Sequence, residues 1–534
     1  MSSKKNSYKD LSHFWRNPGV VKNYKWQIIF RSFFPAALLA AAFPTLNFWP
    51  LSFVAFAVLS HELLKNYSVT ESALYLGGFS FFCNLIGFYW ISYTLREFGN
   101  FSWFLSVPIT LMFFLLLSFV SAFYGFLWAK LRSRIQSPQL LLLALVLFYC
   151  FWDCFDLRLF PWSPFMALGS QKYLLASVGV LGNWGWRILF FTLSLLLFGV
   201  WRNRSHRLFS ALSLILFFLF LLIPFILGSQ QVNSLKQKYS LRQPVAILQG
   251  NIGNFEKRTQ MGLEPTTQNV LRIYETLLEE ASIRLAPLSK SDENQQGLEP
   301  WYFWPETALP AYPMVERDVQ KKLDYWANLS RGLHLIGSYH QGREKFHSKE
   351  INLDYNITLL LHESAGFMGF YKKQLRLAFG EYFPGDQYLE HIYEWVPAVN
   401  HFGRGYKNEA LLHPDPSGPA FVSLICYEVL SDSLVTAFID EVEKKNPGRD
   451  IILYNPTNDS WFGASLEPFI HARLSQWQAA RVAKPMVRAT NTGISMVIAP
   501  WGEVLNEGPL FKEVVVYGEL PVTHQQRRLP KVAD

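Results

Sequence analysis

Long apolar runs fill the first 230 residues, and short apolar runs alternate with polar stretches after that. A helix that crosses a bilayer needs about 20 mostly apolar residues, because its backbone must satisfy its own hydrogen bonds across roughly 30 Å of hydrocarbon. Seven runs predict such helices: 27–46, 49–64, 73–93, 103–129, 140–155, 186–201 and 208–227. Pro35 and Pro44 interrupt the first, and the second is short. The stretch 173–181 is too short to span and predicts an interfacial or re-entrant segment.

Beyond a polar connector at 229–242 the periodicity changes. Val270, Leu271, Ile273, Tyr274, Leu277, Leu278 and Ala281 recur at helical spacing and predict an amphipathic helix over 266–285. Helical patterns also cover 318–330, 431–444 and 468–483. Between them lie strand-like runs at 244–249, 301–304, 333–339, 356–361, 420–425, 450–454, 485–489, 494–499 and 514–520. Strands alternating with helices predict a layered α/β domain. The expected division is a transmembrane domain of about seven helices over 1–230, a linker over 231–243, an α/β domain over 244–522 and a polar C-terminal tail over 523–534.

Composition changes this picture in one respect. A net charge of +8 could suit nucleic acid, but the basic residues form no single stripe, so no nucleic-acid partner is expected. They cluster instead in short segments between apolar runs: Lys4, Lys5, Arg16, Lys22 and Lys25, then Lys130, Arg132 and Arg134, then Arg202, Arg204 and Arg207. With seven spans all three clusters fall on one side, which the positive-inside rule makes cytoplasmic. The catalytic half is then expected on the periplasmic side of a bacterial inner membrane. The first run follows a long basic leader without a clear small-residue cleavage site, so it reads as a membrane anchor rather than a cleaved signal.

Three of the four cysteines, Cys83, Cys150 and Cys154, lie in apolar runs of the membrane half. Cys426 is the lone thiol of the polar half and ends the run 421–426. It is either a small buried hydrophobe or a nucleophile. Two other chemistry-bearing positions also follow strand-like runs: Glu306, reached through Pro305, and Lys373, just beyond 366–371. Taken singly, each reads more readily as a solvated surface charge. Together they fit one mechanism, in which Glu306 takes the thiol proton, Cys426 attacks an acyl carbonyl and Lys373 neutralises the oxyanion. No metal-ligand cluster and no phosphate-cradling glycine loop stands out, so no cofactor and no metal are expected.

The segments Trp304-Pro305-Glu306-Thr307-Ala308, Tyr371-Lys372-Lys373 with Phe379-Gly380-Glu381-Tyr382, and Leu424-Ile425-Cys426-Tyr427-Glu428 resemble the three motifs of the carbon–nitrogen hydrolases of the nitrilase superfamily. The stretches 458–463 and 488–493, with 87–90, 98–99, 160–162 and 169–171 in the membrane half, resemble its apolipoprotein N-acyltransferase family. The resemblance implies an α-β-β-α sandwich behind a polytopic α-helical membrane domain. It assigns Glu306 as general base, Lys373 as oxyanion stabiliser and Cys426 as nucleophile. Glu381 matches a second glutamate that assists the triad, Tyr427 and Glu428 match positions beside the nucleophile, and Trp461 matches an aromatic of the substrate cleft. The reaction implied moves an acyl chain from a phospholipid, phosphatidylethanolamine for choice, onto the cysteine as a thioester. The chain then passes to the N-terminal amine of the diacylglyceryl-cysteine of an apolipoprotein, giving a triacylated lipoprotein. A membrane-tethered amidase with water as acceptor is the alternative, and a binding or scaffold protein on a spent catalytic domain is a third reading.

Three positions depart from the family pattern. The family commonly carries one more membrane helix after the catalytic domain, whereas this chain ends in the polar run 525–534. Arg258 stands where a tryptophan is frequent, and Ala378 where a proline is usual before Phe-Gly-Glu. Residues 388–402, rich in aromatics, read either as a membrane-facing arm or as a loop packed on its own domain.

Overall fold

The computed structural model describes residues 24–526 apart from 98, 100, 159, 204, 254–263, 290–296, 348, 390 and 397–398. Arg258, Phe98 and the tail 527–534 lie outside the described residues.

Each of the seven apolar runs is helical. The helices are α1 (Tyr24–Ala40), α2 (Pro50–Leu63), α3 (Val69–Gly87) continued by α4 (Ile91–Glu97), α5 (Trp103–Arg132), α6 (Pro138–Phe155), α7 (Val178–Arg202) and α8 (Arg207–Lys238). Among the described residues five segments are long and apolar enough to span, and α3 with α4, bent by 53°, meets the same length and composition as a pair, either as a broken span or as a re-entrant loop. At 14 residues α2 is shorter, about 21 Å at 1.5 Å per residue. Pro44 ends the first span through a break at Phe43, because proline cannot donate the next helical hydrogen bond.

The helices alternate between two faces. On one face, loops touch the α/β domain: Arg473 Nη2 donates to Asn47 Oδ1 at 2.9 Å, Thr94 Oγ1 to Trp461 O at 3.0 Å, and Trp477 Nε1 to Asn183 Oδ1 at 2.9 Å. On the opposite face Trp128 Nε1 donates to Leu63 O at 2.8 Å, and the His61 and Trp201 rings lie 4.4 Å apart. The basic ends of α5 and α7 are therefore remote from the α/β domain. The segment 172–181 does not cross. It forms a short helix, Lys172–Ala176, and the first turn of α7, wedged beneath the α/β domain.

One boundary differs from expectation. The connector set at 231–243 is not a free linker: α8 continues to Lys238 and β1 (Leu241–Gln249) starts three residues later. Polar residues 229–238 can stay helical because the last turns of α8 still bury Val232 and Leu235 against Trp501 and Ala499.

The α/β half stacks two six-stranded sheets. Beyond β1 its elements are α9 (Glu264–Ser289), β2 (Trp301–Phe303), α10 (Arg317–Ser330), β3 (Leu333–Phe346), β4 (Lys349–His362), β5 (Gly366–Lys372), β6 (Leu411–Leu412), β7 (Ala420–Ser423), α11 (Asp432–Lys445), β8 (Ile451–Thr457), α12 (Glu467–Val482), β9 (Met486–Thr490), β10 (Met496–Ile498), β11 (Val504–Glu507) and β12 (Val514–Val522). The sheet orders are β12-β1-β2-β3-β4-β5 and β11-β10-β9-β8-β7-β6. In each the three central strands run parallel, β1-β2-β3 in one and β7-β8-β9 in the other. Val245, Ile247, Trp301, Phe303, Phe421, Ile452 and Val487 fill the space between the sheets. Strands buried on both faces read as continuous apolar runs, which is why the sequence marks them. Helices α9 and α10 cover the first sheet. Helices α11 and α12 cover the second, and their apolar cluster is continuous with that of the membrane helices. The fold is an α-β-β-α sandwich whose inner helix layer rests on a helical membrane domain.

Candidate active site

Polar groups converge where the central strands end. β2 runs through Trp304 and Pro305 to Glu306, and Thr307 then turns the chain at φ +50°. The turn lies against Gly337 of β3, where a β-carbon would meet Pro305 O at 2.2 Å, so that strand needs glycine. Lys373 follows β5, and its N–H donates to Asn356 O at 2.9 Å. Cys426 follows β7 at φ +54°.

Glu306, Lys373 and Cys426 are all buried. Lys373 Nζ donates to Glu306 Oε1 at 3.0 Å and to Glu381 Oε1 at 2.8 Å. Asn356 Nδ2 donates to Glu306 Oε1 at 2.6 Å, and Leu377 N–H to Glu381 Oε2 at 2.7 Å. One ammonium thus sits between two carboxylates, so the cluster carries a net negative charge when all three are ionised. Burial pulls the Lys373 ammonium down, but Glu306 and Glu381 outweigh it and hold the group well above the usual lysine range. Burial pushes the Cys426 thiol well above its ordinary value, and Glu306 adds to this while Lys373 opposes it. The Cys426 side chain therefore rests as a thiol rather than a thiolate.

Glu428 braces the cysteine turn. It is fully buried, and its Oε2 accepts from Ile425 N–H at 2.7 Å, one residue before the cysteine. Its Oε1 accepts from Gln374 N–H, from Leu375 N–H at 3.1 Å and from Tyr371 Oη at 3.0 Å. One carboxylate thereby ties the loop after Lys373 to the strand before Cys426. Burial raises its pKa to about 7 against the pull of those N–H donors. Tyr427 packs its ring 5.6 Å from Phe160 of the membrane half. The loop bearing Phe160 is pinned from below: Asp153 accepts from Arg158 Nη1 and Arg187 Nε, each at 2.7 Å, and from Ser163 Oγ at 2.8 Å. Trp461 sits where the α/β half meets α4. The arm 388–402 turns Tyr388 and Trp395 outward, 80% and 70% exposed, and buries Ile392.

The structure bonds Glu306, Lys373 and Glu381 into one cluster, while Glu428 separately ties the loop after Lys373 to the residue before Cys426, with Tyr427 facing the membrane domain and Trp461 at the domain junction. Sequence reasoning missed Asn356, which binds Glu306, because a single asparagine opening a strand-like run carries no pattern. It also missed two buried clusters with metal-ligand composition. In the first, both oxygens of Glu299 accept from histidines, His362 and His413, the latter at 2.7 Å. Their Nδ1 atoms accept backbone N–H groups, of Ser364 and Asp415, each at 3.1 Å. That places both ring protons on Nε2, directed at Glu299, where a metal would need a lone pair. In the second, His471 Nδ1 lies 3.1 Å from Asp459 Oδ1 and 3.5 Å from Glu467 Oε1, while Arg488 Nη2 donates to Asp459 Oδ2 at 2.7 Å. Arg488 and His471 both face Asp459, and burial together with the Asp459 charge raises the Glu467 carboxyl to about 7.

A two-sheet sandwich with a Glu–Lys–Cys cluster at its strand ends, seated on membrane helices, defines a membrane-anchored protein of the carbon–nitrogen hydrolase type. The carbon-nitrogen hydrolase family profile matches residues 301–528, and the profile of the apolipoprotein N-acyltransferase N-terminal domain matches residues 35–196. Together the two profiles and the curated relatives make the chain similar to apolipoprotein N-acyltransferases over most of its length. It is 28% identical to the apolipoprotein N-acyltransferase of Bdellovibrio bacteriovorus, over 81% of this chain and 77% of that one. It is 26% identical to that of Geobacter metallireducens, over 90% and 87%. Among solved structures it is similar to Saccharomyces cerevisiae Nit3 of the nitrilase superfamily, at 15% identity over 53% of this chain and 90% of that one, with a TM-score of 0.33.

Proposed function

We propose that the protein transfers an acyl chain from a phospholipid, phosphatidylethanolamine in the first instance, to the N-terminal amine of a diacylated apolipoprotein through a thioester on Cys426. The observation that carries this reading is the buried Lys373 ammonium shared by Glu306 and Glu381 beside a buried, protonated thiol. Glu306 Oε1 is occupied by Lys373 and Asn356, and Oε2 takes no hydrogen bond from the described residues. It is therefore the atom that accepts the thiol proton. The sulfur attacks the ester carbonyl, and Lys373 stabilises the oxyanion. The C–O bond to glycerol breaks, and Glu306 returns the proton to the leaving alkoxide, releasing a lysophospholipid. In the second half the lipoprotein amine attacks the thioester, gives its proton to Glu306, and the cysteine sulfur leaves and is reprotonated. Glu381 keeps Lys373 charged and aimed, and Glu428 holds the cysteine turn.

Both substrates are lipids by anchorage, which suits a site resting on membrane helices. Exclusion of water from a buried thioester favours the amine as acceptor over hydrolysis. The outward Tyr388 and Trp395 support a membrane-facing role for the arm, since amphipathic aromatics favour the membrane interface. The remoteness of the basic helix ends from the α/β half supports a periplasmic catalytic domain on the inner membrane.

The test is mass spectrometry of the full-length protein in mixed micelles with phosphatidylethanolamine, followed by addition of a diacylated lipopeptide. An acyl adduct on Cys426 that chases into N-acyl lipopeptide is expected, with none in Cys426→Ala. Release of free fatty acid alone would point to a hydrolase, and full transfer by Cys426→Ala would sink the thioester.

A further inference from the structure

The family stretches 458–463 and 488–493 have no part in the chemistry above, yet both lead to the backbone of Cys426. That residue holds φ +54°, a left-handed conformation that a side chain with a β-carbon disfavours and that persists only where the surroundings impose it. Two carbonyls flank the turn, and one buried side chain holds both. Asn455 of β8 donates from Nδ2 to Leu424 O at 2.6 Å and to Cys426 O at 3.2 Å.

The amide is itself aimed from behind. Its Oδ1 accepts from Arg488 Nη1 at 2.6 Å and more distantly from Ser475 Oγ at 3.4 Å. Arg488 is 0% exposed, and its Nη2 donates to Asp459 Oδ2 at 2.7 Å. A guanidinium so deep is costly unless paired, so its placement calls for a reason. Asp459 in turn accepts from His471 Nδ1 at 3.1 Å. A β-carbon on Gly493 would stand 2.1 Å from Asp459 Oδ2, the oxygen that takes Arg488. The two stretches therefore close one chain of contacts: Gly493 makes room for Asp459, Asp459 fixes Arg488, Arg488 fixes Asn455, and Asn455 grips the nucleophile's own carbonyl.

We propose that Asn455 and Arg488 are positioning residues for the nucleophile, holding the strained turn that presents the Cys426 thiol to Glu306 and Lys373. Neither touches substrate. Glu428 restrains the same turn from its N–H side and Asn455 from its carbonyl side, so the cysteine is fixed by two independent clamps. The inference rests on Cys426 being the acyl carrier.

The experiment compares single-turnover thioester formation on Cys426 in the full-length protein, Asn455→Leu and Arg488→Lys, with phosphatidylethanolamine as donor in mixed micelles. Asn455→Leu is near in size and removes both grips. Arg488→Lys keeps the charge against Asp459 but has no planar fork to hold two partners at once. A loss of about 100-fold in thioester rate is expected for Asn455→Leu, the scale that small misplacements cost, with KM for the phospholipid unchanged. Arg488→Lys is expected to shift the same way by a smaller factor. A wild-type rate in folded Asn455→Leu overturns the proposal, as does a change confined to KM. If neither variant accumulates as a folded protein with a cooperative melt, both residues serve folding and the proposal falls. Absence of any Cys426 adduct in the unmodified protein would instead sink the acyl-transfer reading.

Discussion

Lys373 Nζ stands 3.0 Å from Glu306 Oε1, with both side chains buried at the ends of β5 and β2 of one sheet. An ion pair so placed contributes little net stability once both desolvation costs are counted, but removing one partner strands the other. Here Glu381 makes a second partner, so loss of the lysine strands two carboxylates. Lys373→Met is expected to lower stability by about 3–5 kcal/mol and to abolish the acyl adduct on Cys426. Lys373→Arg should keep more stability than Lys373→Met without restoring the adduct, since a planar fork cannot replace a compact ammonium. Thermal melts and adduct mass spectrometry read the two effects separately, and a Lys373→Met protein as stable as the parent would contradict the burial argument.

Glu428 accepts three backbone N–H groups and one phenol. In Glu428→Gln the amide can keep one oxygen for the loop after Lys373, but its NH2 then opposes the Ile425 N–H. A donor facing a donor costs about 1–3 kcal/mol. If Cys426 carries the acyl chain as proposed, thioester formation is expected to fall by about 10–100-fold, since the opposed N–H belongs to the residue before Cys426. An unchanged rate in folded Glu428→Gln would show that the Asn455 side alone fixes the turn.

Far from the site, Glu299 joins the sheets through His362 and His413. Burial works against its charge, but the two histidine hydrogen bonds prevail and lower its pKa to about 2, from 4.5. A depressed carboxyl contributes stability above its unfolded pKa and loses it as pH falls through the folded one. The contribution is about 3 kcal/mol. The Tm advantage of the wild type over Glu299→Gln should hold near pH 6, shrink from about pH 4.5 and vanish near pH 2. A gap independent of pH over that window would falsify the linkage.

Topology has its own check. A reporter joined near residue 240, where α8 hands over to β1, is expected to read as periplasmic, and one placed between α5 and α6 as cytoplasmic. The same reading at both points would overturn the alternation of helices.

Much of the fold is legible along the chain. Strands buried on both faces give unbroken apolar runs, so Trp301–Phe303, Ala420–Ser423 and Met486–Thr490 were visible. The amphipathic stripe from Val270 to Ala281 predicted α9. What escaped was short or mixed: β6 has two residues, and β11 has half-exposed and exposed positions without alternation. The connector at 229–238 looked like a linker because polar residues say nothing of the Trp501 surface that keeps α8 helical. At the site, Glu306, Lys373, Glu381 and Cys426 were found through motifs. Asn356, Asn455 and Arg488 were not given roles, because each contacts a partner 29 to 50 residues distant in sequence.

The sequence by itself determined the two-part architecture and, through its resemblance to family motifs, singled out Glu306, Lys373 and Cys426 as candidates, since apolar run length and short motifs are local properties. Only the tertiary structure decided that one ammonium is shared by two glutamates, that the thiol is held protonated, and that Cys426 is gripped from both sides of a strained turn. Charge sharing depends on how β2 and β5 lie within one sheet, and desolvation on how the second sheet and its helices close over them, and no local pattern encodes either arrangement.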